Sequence, residues 1–530
     1  MKNSNNKQVY FVGGGLASLS GAAYLIRDCN FDGKNIHILE GMPILGGSND
    51  GNGTAKNGFV CRGGRMLNEE TYENFWELFS SIPSIEQDGI SVTDEILTFD
   101  HAHPTHSNAR LINKEGEVLD VMSMGFNTED RMSLLKLMRT PEEKLDNLKI
   151  SDWFVGTPHF FETNFWYMWQ TTFAFQKWSS LFEFRRYMNR MMFEFSRIQT
   201  LEGVTRTPYN QYDSVILPLK AYLTNHSVDF SLKCTATDLD FDEGEGITAT
   251  AIHYTEDGVT DHLIQLHNGD ICIVTNGCMT DCATLGDFKN PAPFMDQNPI
   301  SANLWAKIAV KKEGLGNPKP FFGNSQETNW ESFTVTMNSN KLLKIIEKYS
   351  RNVPGSGALM TFKESNWLMS IVVAAQPHFK GQIEDQTVFW GYGLYTTTNG
   401  DYIKKPMRDC TGEEILLELL HHLPLEDEVN EIMKDVVNVI PCMMPYIVSQ
   451  FQPHAMADRP KVVPEGSTNF AMISQYVEIP EDMVFTEEYS VRAARIAIYT
   501  LMGLDKKICP ITPHRYDVRT LLKAVNTSYR

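Results

Sequence analysis

The sequence predicts an α/β fold in which a Rossmann-like dinucleotide-binding domain is assembled from separated stretches of the chain. A strand, a glycine-rich turn and a helix follow one another at the N-terminus, and a second strand ends in an acidic residue. A distant apolar strand at 270–277 ends in a Thr-x-Gly turn. Because 530 residues exceed what one core holds, two or three lobes are expected.

The first unit runs from the apolar stretch 8–12 through three consecutive glycines into a helix over 16–26, whose apolar residues lie on one face. Its spacing is G-x-G-x-x-S, in which a serine takes the third small position. Glycines let the backbone turn sharply and approach a pyrophosphate, which then rests on the amides at the start of the helix. The predicted cofactor contacts here are Gly13, Gly15, Leu16, Ala17 and Ser18.

The second strand, 36–39, is followed by Glu40, which lies 25 residues after Gly15, where a carboxylate can accept both ribose hydroxyls. The diglycine of LGGSNDG comes next and resembles that of flavoproteins related to amine oxidases and glutathione reductase. The strand DICIVTNG resembles the one that those flavoproteins return to the nucleotide domain. The combination favours FAD over NAD, with contacts at Glu40, Gly47, Ser48 and Asn276.

Two further segments are predicted to contact the flavin. In the segment RGGR, the paired glycines suit a close backbone approach to the ring, although a surface turn with two solvated arginines would have the same sequence. The segment GSTNFAMISQYVE at 466–478 resembles a stretch that closes over the flavin in related proteins. The residues concerned are Arg62, Gly63, Gly64, Arg65, Asn469, Ser474 and Gln475.

Composition narrows the class of protein. A net charge of −19 argues against nucleic acid as a partner, because phosphate binding needs a clustered cationic surface. The polar start lacks the features of a signal peptide, and no apolar run reaches the roughly 18 residues of a membrane span, so a cytoplasmic location is expected. Nine scattered cysteines predict neither a disulfide framework nor a metal site.

An ordered set of motifs resembles the oleate hydratase (myosin-cross-reactive antigen) family over nearly the whole chain. Besides GGSNDG and RGGR, the set includes RRYMNR at 185–190, YNQYDS at 209–214, QPHF at 376–379, KKPMRDCTGEEI at 404–415 and DRPKVVPEGSTNFA at 458–471. The resemblance implies a hydro-lyase that adds water across a cis double bond of an unsaturated fatty acid, typically giving a 10-hydroxy acid. It also implies FAD in a non-redox role.

The resemblance extends to catalytic residues. In the family the proton donor is a tyrosine of the Arg-Arg-Tyr motif, which corresponds to Tyr187, and a glutamine that lies beside the double bond corresponds to Gln211. A phenol with a pKa of about 10 is a poor acid. Nearby arginines would lower that pKa, and Arg185 and Arg186 are sequence neighbours, although on a helix they point in other directions.

The chain departs from the family directly after RGGR. The usual glutamate, taken as the base that activates water, is replaced by Met66, whose thioether cannot accept the proton. Glu69 and Glu70 begin the next helix and are candidate replacements, or else acids that complement the helix dipole. Another carboxylate, a water network or a flavin group could also substitute, or the activity is altered. A hydratase without this glutamate is plausible as well, if water is positioned without early deprotonation.

A second departure concerns the fatty-acid carboxylate. The family anchors it with a threonine, an asparagine and a histidine, and the corresponding positions are Val372, Ala374 and His378. Two of the three polar anchors are therefore absent. Either His378 holds the carboxylate with other partners, or the preferred substrate differs, or the histidine is structural.

The expected architecture is a discontinuous FAD-binding domain with an inserted α+β substrate domain and helical fatty-acid-binding segments. Aromatic residues are concentrated at 153–184, a surface suited to an acyl chain at about 0.8 kcal/mol per buried methylene. The expected boundaries are 1–150, 226–300 and 441–530 for the FAD domain, 151–225 for the aromatic helical segment and 301–440 for the substrate domain.

Two other functions stay open at this stage. One is a flavin-dependent fatty-acid oxidoreductase or double-bond isomerase, which the same fold permits. The other is a non-catalytic lipid-binding flavoprotein. The expected partner is an unsaturated fatty acid, while transient contact with a membrane surface and the choice between monomer and homodimer are undecided.

Overall fold

The computed structural model of the protein describes residues 7–62, 66–357, 359–425 and 428–530. Within these ranges the chain forms 17 strands and 16 α-helices. The strands are β1 (Val9–Val12), β2 (Ile36–Glu40), β3 (Gly51–Thr54), β4 (Gly58–Cys61), β5 (Leu111–Ile112), β6 (Asp229–Leu232), β7 (Cys234–Phe241), β8 (Ala249–Glu256), β9 (Thr260–Gln265), β10 (Ile271–Thr275), β11 (Thr284–Leu285), β12 (Trp330–Met337), β13 (Leu359–Phe362), β14 (Met369–Val372), β15 (Thr387–Gly393), β16 (Val436–Met444) and β17 (Phe470–Ile473). The helices are α1 (Leu16–Cys29), α2 (Glu73–Phe79), α3 (Val92–Ala102), α4 (Thr128–Arg139), α5 (Ile150–Trp153), α6 (Asn164–Phe173), α7 (Leu181–Arg190), α8 (Leu217–Asn225), α9 (Ile300–Ala309), α10 (Lys319–Phe322), α11 (Ser325–Thr328), α12 (Lys341–Ser350), α13 (Gly412–His422), α14 (Val429–Lys434), α15 (Glu487–Leu501) and α16 (Val518–Ser528).

The nucleotide domain is built on a parallel sheet whose strand order is β17-β10-β1-β2-β6. Its central strands β1, β10 and β17 are nearly continuous apolar runs, as expected where helices cover a parallel sheet on both faces. The helices α1 and α15 pack against each other beside it. Because its strands come from the start, the middle and the end of the chain, the predicted discontinuous Rossmann-like fold is confirmed.

A second sheet, with the strand order β11-β16-β12-β15-β14-β13-β5, forms the centre of the other lobe. The inner strand β12 pairs antiparallel with β15 and β16, and all of its residues are buried. The short strand β5 comes from the stretch 1–150, which we assigned to the FAD domain, and pairs with β13. The sequence did not predict that a strand from this stretch joins the second sheet, because a two-residue strand carries no periodicity.

The aromatic segment 153–184 folds into short helices whose rings pack largely on one another. Phe154 and Phe160 stack with their centroids 3.9 Å apart, and Trp166 and Phe184 also contact Phe160. Most of these rings therefore contribute to the core, and only those at the edge of the cluster can reach a ligand.

Among the helices in the described ranges, none combines the length and the apolar character that crossing a bilayer requires.

We expect Ile273→Ala to lower the free energy of unfolding by about 2–5 kcal/mol, because Ile273 is fully buried in β10 between Phe11 and Ala471. Ile273→Val should cost only about 1 kcal/mol. Thermal unfolding of the two variants and of the exposed-site control Val259→Ala measures the difference. Equal unfolding midpoints for all three variants would contradict the central position of β10.

Candidate functional site

A cleft of about 310 Å³ opens at the carboxyl ends of the parallel strands, where ligands bind in open α/β sheets. The glycine turn after β1, the end of β2 and the turn after β10 form one side of it. The segments 474–475 and 485–487 form another. The predicted cofactor residues that line this cleft are Gly13, Gly15, Leu16, Ala17, Glu40, Gly47, Ser48, Arg62, Ser474 and Gln475.

The glycines bring two backbone segments together without side chains between them. Gly14 accepts a hydrogen bond from the amide of Gly46 at 2.9 Å. A Cβ on Gly47 would lie 3.1 Å from the Cα of Gly15, and Gly47 has a φ of +57°. The helix α1 begins directly after Gly15, and no side chain in the described ranges caps it. Its amides and dipole therefore suit a phosphate group.

Glu40 stands at the end of β2 with its carboxylate in the cleft. Its two oxygens accept hydrogen bonds from the backbone amides of Gly14 at 2.6 Å and Met42 at 2.7 Å. Burial raises the pKa of the carboxyl, and the two amide hydrogen bonds oppose that rise. Each oxygen keeps a further acceptor position for a ligand hydroxyl.

Arg62 is held inside the site and not in a solvated surface turn. Its guanidinium donates to Asp50 and to the carbonyl of Gly47, both at 2.6 Å, and to the carbonyl of Thr280 at 3.1 Å. These hydrogen bonds hold the turn that contains Gly46 and Gly47 in place. Gly63, Gly64 and Arg65 lie outside the described residues.

Three predicted cofactor residues are not in the cleft lining. Ser18 is fully buried in α1. Asn276 lies behind Ser474 and accepts a hydrogen bond from its hydroxyl at 2.6 Å. Asn469 donates to the carbonyls of Ala249 and Asp270 at 2.9 and 3.1 Å, so its amide connects β17 to the neighbouring strands.

The segment 277–282, GCMTDC, lines the cleft, which its sequence did not predict. Asp281 accepts a hydrogen bond from the amide of Ser301 at 3.0 Å, and burial raises the pKa of its carboxyl. The signal that could have located this segment is its position directly after the Thr-x-Gly turn of β10.

A second cavity, of about 90 Å³, adjoins the cleft and shares Phe485 and Thr486 with it. Tyr187 and Met66 both line this cavity, so the predicted proton donor and the position of the missing glutamate are brought together. Its remaining walls are mostly aromatic and aliphatic, and include Tyr72, Phe173, Met191, Ile198, Leu201, Val204, Trp330, Trp390 and Tyr392.

Ion pairs on α7 orient Tyr187. Arg186 pairs with Glu142 at 2.9 Å and Glu478 at 2.7 Å. One turn further along, Arg190 pairs with Glu73 at 2.6 Å. Because residues one turn apart share a helix face, the two arginines hold one side of α7 while Tyr187 projects from another.

Tyr187 is 1 % exposed, and its hydroxyl donates to the carbonyl of Val484 at 2.6 Å. Burial raises the pKa of the phenol well above its usual value, and Tyr72, Glu183 and Asp482 add to the rise. The expectation that arginines lower this pKa is therefore wrong. The guanidinium groups of Arg185 and Arg186 pair with the carboxylates of Glu142 and Glu478, and burial of the phenol raises its pKa.

The two acids proposed to replace the missing glutamate are not among the residues that line the cavity. The side chain of Glu69 is 45 % exposed and lies 3.4 Å from His101. Glu70, at 37 % exposure, pairs with Arg197 at 3.0 Å. The acid that does line the cavity is Glu194, which is 4 % exposed. Glu194 lies beyond the end of α7, in the 3₁₀ turn Met192–Ser196, so no α-helical periodicity in the sequence relates it to Tyr187.

The predicted substrate residues lie apart from this cavity lining. Gln211 precedes a π-helical turn, Tyr212–Ile216, and its amide donates to Thr207 at 3.4 Å. Val372 and Ala374 are buried apolar residues at the end of β14. The role predicted for Gln211 beside the double bond stays a prediction.

His378 is 8 % exposed, and its Nε2 has no hydrogen-bond partner among the residues described. Burial and the charge of Arg206 lower the pKa of His378 to about 4. Arg206 itself has a buried Nε and Nη2 that find no partner in the described ranges, and burial lowers its pKa to about 10. Arg206 was not predicted from the sequence, because nothing local distinguishes it from a solvated arginine.

Asp401, Glu418 and His422 form a further group of possible metal ligands within 4.8 Å of one another. Both oxygens of Glu418 already accept backbone amides of 401–403. These hydrogen bonds indicate that Glu418 stabilises the loop 401–403.

Comparison with known proteins places the whole chain in one family. It is 38% identical over 560 residues to the linoleate hydratase of Lactiplantibacillus plantarum, covering 98% of each chain. It is 37% identical over 530 residues to the oleate hydratase of Streptococcus pyogenes serotype M49 (strain NZ131), covering 98% of this chain and 89% of that protein.

Solved structures with low sequence identity share the fold. Cyclohexylamine oxidase from Brevibacterium oxydans IH-35A aligns with a TM-score of 0.55 and 14% identity, over 94% of this chain and 99% of its own. An oxidoreductase from Methanosarcina mazei aligns with a TM-score of 0.50 and 12% identity, over 92% and 99%. The chain also matches the MCRA family over residues 6–499, and it therefore belongs to that family.

Proposed function

We propose that the protein is a FAD-containing fatty acid hydratase, a hydro-lyase that adds water across a cis double bond of an unsaturated fatty acid. An oleate-like substrate would give a 10-hydroxy acid. The observation that carries the proposal is the buried phenol of Tyr187 in a largely apolar cavity beside the nucleotide cleft. Family membership and the names of the two hydratase relatives support the same reaction.

The cleft suits FAD. A pyrophosphate fits where Gly15 and Gly47 approach each other without side chains and where α1 begins without a cap. Glu40 can accept hydrogen bonds from ribose hydroxyls. When bound, FAD supplies an ordered wall and a fixed electrostatic environment next to the cavity. Phe485 and Thr486, which line both spaces, connect the cofactor region to the reacting region.

Tyr187 holds the proton that the reaction needs. A phenol is protonated at neutral pH, and burial raises the pKa of Tyr187 further, so the proton is present but the phenol is a weaker acid than in water. Protonation of an isolated alkene is unfavourable, so the donor must be held at short range with water excluded. The faces of aromatic residues such as Trp330 and Trp390 can stabilise the positive charge that develops on carbon.

His378 and Arg206 are suited to the fatty-acid carboxylate. Both carry buried side-chain nitrogens without partners in the described part of the chain, the Nε2–H tautomer of neutral His378 can donate to an anion, and the charge of Arg206 acts on His378. An anion bound between them would relieve the cost of leaving these donors unsatisfied. Arg206 follows Val204, a residue of the cavity wall, by two positions in the sequence, which supports a head-group site near the cavity.

We expect anaerobic incubation of the FAD-loaded protein with oleate or linoleate to give a hydroxy acid heavier by one water. The flavin spectrum should remain oxidised, because hydration transfers no electrons. Mass spectrometry and absorbance measure the two outcomes. Reduced flavin with a desaturated or isomerised acid would favour the oxidoreductase alternative, and tight binding without any product would favour a lipid-binding protein.

Tyr187→Phe should lower kcat by about 10²- to 10⁴-fold, since it removes the acid and keeps the ring. Flavin content and fatty-acid affinity should be unchanged. The matched control is Tyr254→Phe in the three-stranded sheet β7–β9, which should retain full activity. Hydration at the normal rate by Tyr187→Phe would exclude Tyr187 as the donor.

Arg206→Gln should raise KM for oleate by about 10- to 100-fold with little change in kcat, as expected for a lost charge-assisted hydrogen bond of about 1.5–3 kcal/mol. The preference of the enzyme for oleate over its methyl ester should shrink by the same factor. Arg351→Gln, at an exposed position, is the control. An unchanged acid-to-ester preference would contradict the head-group assignment.

A further inference from the structure

Glu194 is a buried carboxylate in the wall of the cavity that also contains Tyr187 and Met66. It lies in the 3₁₀ turn Met192–Ser196, directly after α7. Of the acids considered above, Glu69 and Glu70 contact solvent and surface partners, and only Glu194 faces the reacting space.

The carboxylate of Glu194 is held by one oxygen. Its Oε1 accepts hydrogen bonds from the amide of Asn68 at 3.2 Å and from the guanidinium of Arg197. No described residue donates a hydrogen bond to its Oε2. Gly203 makes room for this arrangement, because a Cβ there would lie 1.7 Å from Oε1.

The surroundings are suited to a base. Burial raises the pKa of the Glu194 carboxyl, while the charge of Arg197 opposes the rise and favours the ionised form. Glu70 contacts the same Arg197 from the solvent side at 3.0 Å and holds it in place. A desolvated but paired carboxylate is a stronger base than one in water.

We propose that Glu194 is the general base of the reaction, a role that the thioether of Met66 cannot take. Its Oε2 binds the attacking water and accepts a proton from that water. The inference rests on the proposed hydratase function. As the O–H bond of Tyr187 breaks, a C–H bond forms at one alkene carbon. The water oxygen forms the C–O bond at the other carbon, and its proton passes to Glu194. Return of that proton to the Tyr187 phenolate through water restores both groups, and no electrons are exchanged.

The test is a rescue experiment with the FAD-loaded enzyme. Glu194→Gln preserves size and contacts with Asn68, and it should lower kcat by about 10²- to 10³-fold. Adding Met66→Glu to that variant should recover at least about 10-fold, because it restores a carboxylate to the same cavity wall. Glu202→Gln, an exposed acid paired with His106 on the adjoining segment, should have no effect.

The outcomes separate the two levels of the proposal. If wild-type enzyme forms no hydroxy acid, the hydratase function itself fails. If wild type hydrates oleate and Glu194→Gln does so at the same rate, only the role of Glu194 is overturned. Loss of activity without rescue by Met66→Glu also overturns it, because a structural role then explains the loss.

A second pair of variants keeps the test decisive if Glu194→Gln folds poorly. Glu194→Asp and Glu194→Asn are equal in length, and only the first retains a carboxylate. Activity in Glu194→Asp that exceeds activity in Glu194→Asn by about 10-fold or more supports the base role. Equal activity in the two variants overturns it.

Discussion

Arg186 and Arg190, one helical turn apart on α7, each pair with two carboxylates, and the orientation of Tyr187 depends on these ion pairs. Their partners come from distant parts of the chain: Glu142 and Glu478 for the first arginine, Glu73 and Asp482 for the second. Buried ion pairs add little net stability, but losing one partner is costly, about 3–5 kcal/mol. Such pairs therefore specify where a helix lies, and here they position the helix that carries the proton donor.

The electrostatics of the cavity follow from this arrangement. Since carboxylates engage the arginines, none of them stabilises a phenolate at Tyr187, and burial keeps its proton in place. Polar groups enter the cavity wall only at a few points, among them Glu194 and Asn68. The site thus combines a protonated phenol, an ionisable carboxylate and aromatic walls, which are the components that alkene hydration requires. Phe485 and Thr486 link these components to the cleft.

The parts of the structure that sequence predicted are those encoded locally. The strand, glycine turn and helix at 8–29 depend on periodicity and on conformations that glycine allows, and β10 was readable as an apolar run ending in a turn. Site residues whose role depends on tertiary partners were harder to predict from the sequence. Asn469 donates hydrogen bonds to backbone carbonyls outside its own strand, and Glu70 pairs with Arg197 and does not line the cavity. Glu194 and Arg206 were missed because burial, not sequence, gives them their chemistry.

The central claim is that water adds to a carbon–carbon double bond without redox chemistry. The source of the oxygen atom in the product tests this claim most directly. FAD-loaded protein is incubated with oleate in water enriched in ¹⁸O, and the hydroxy acid is analysed by mass spectrometry. The account predicts one heavy oxygen from solvent at the new hydroxyl group and an oxidised flavin throughout. A hydroxyl group without the label, or an altered acid formed only as the flavin is reduced, would contradict it.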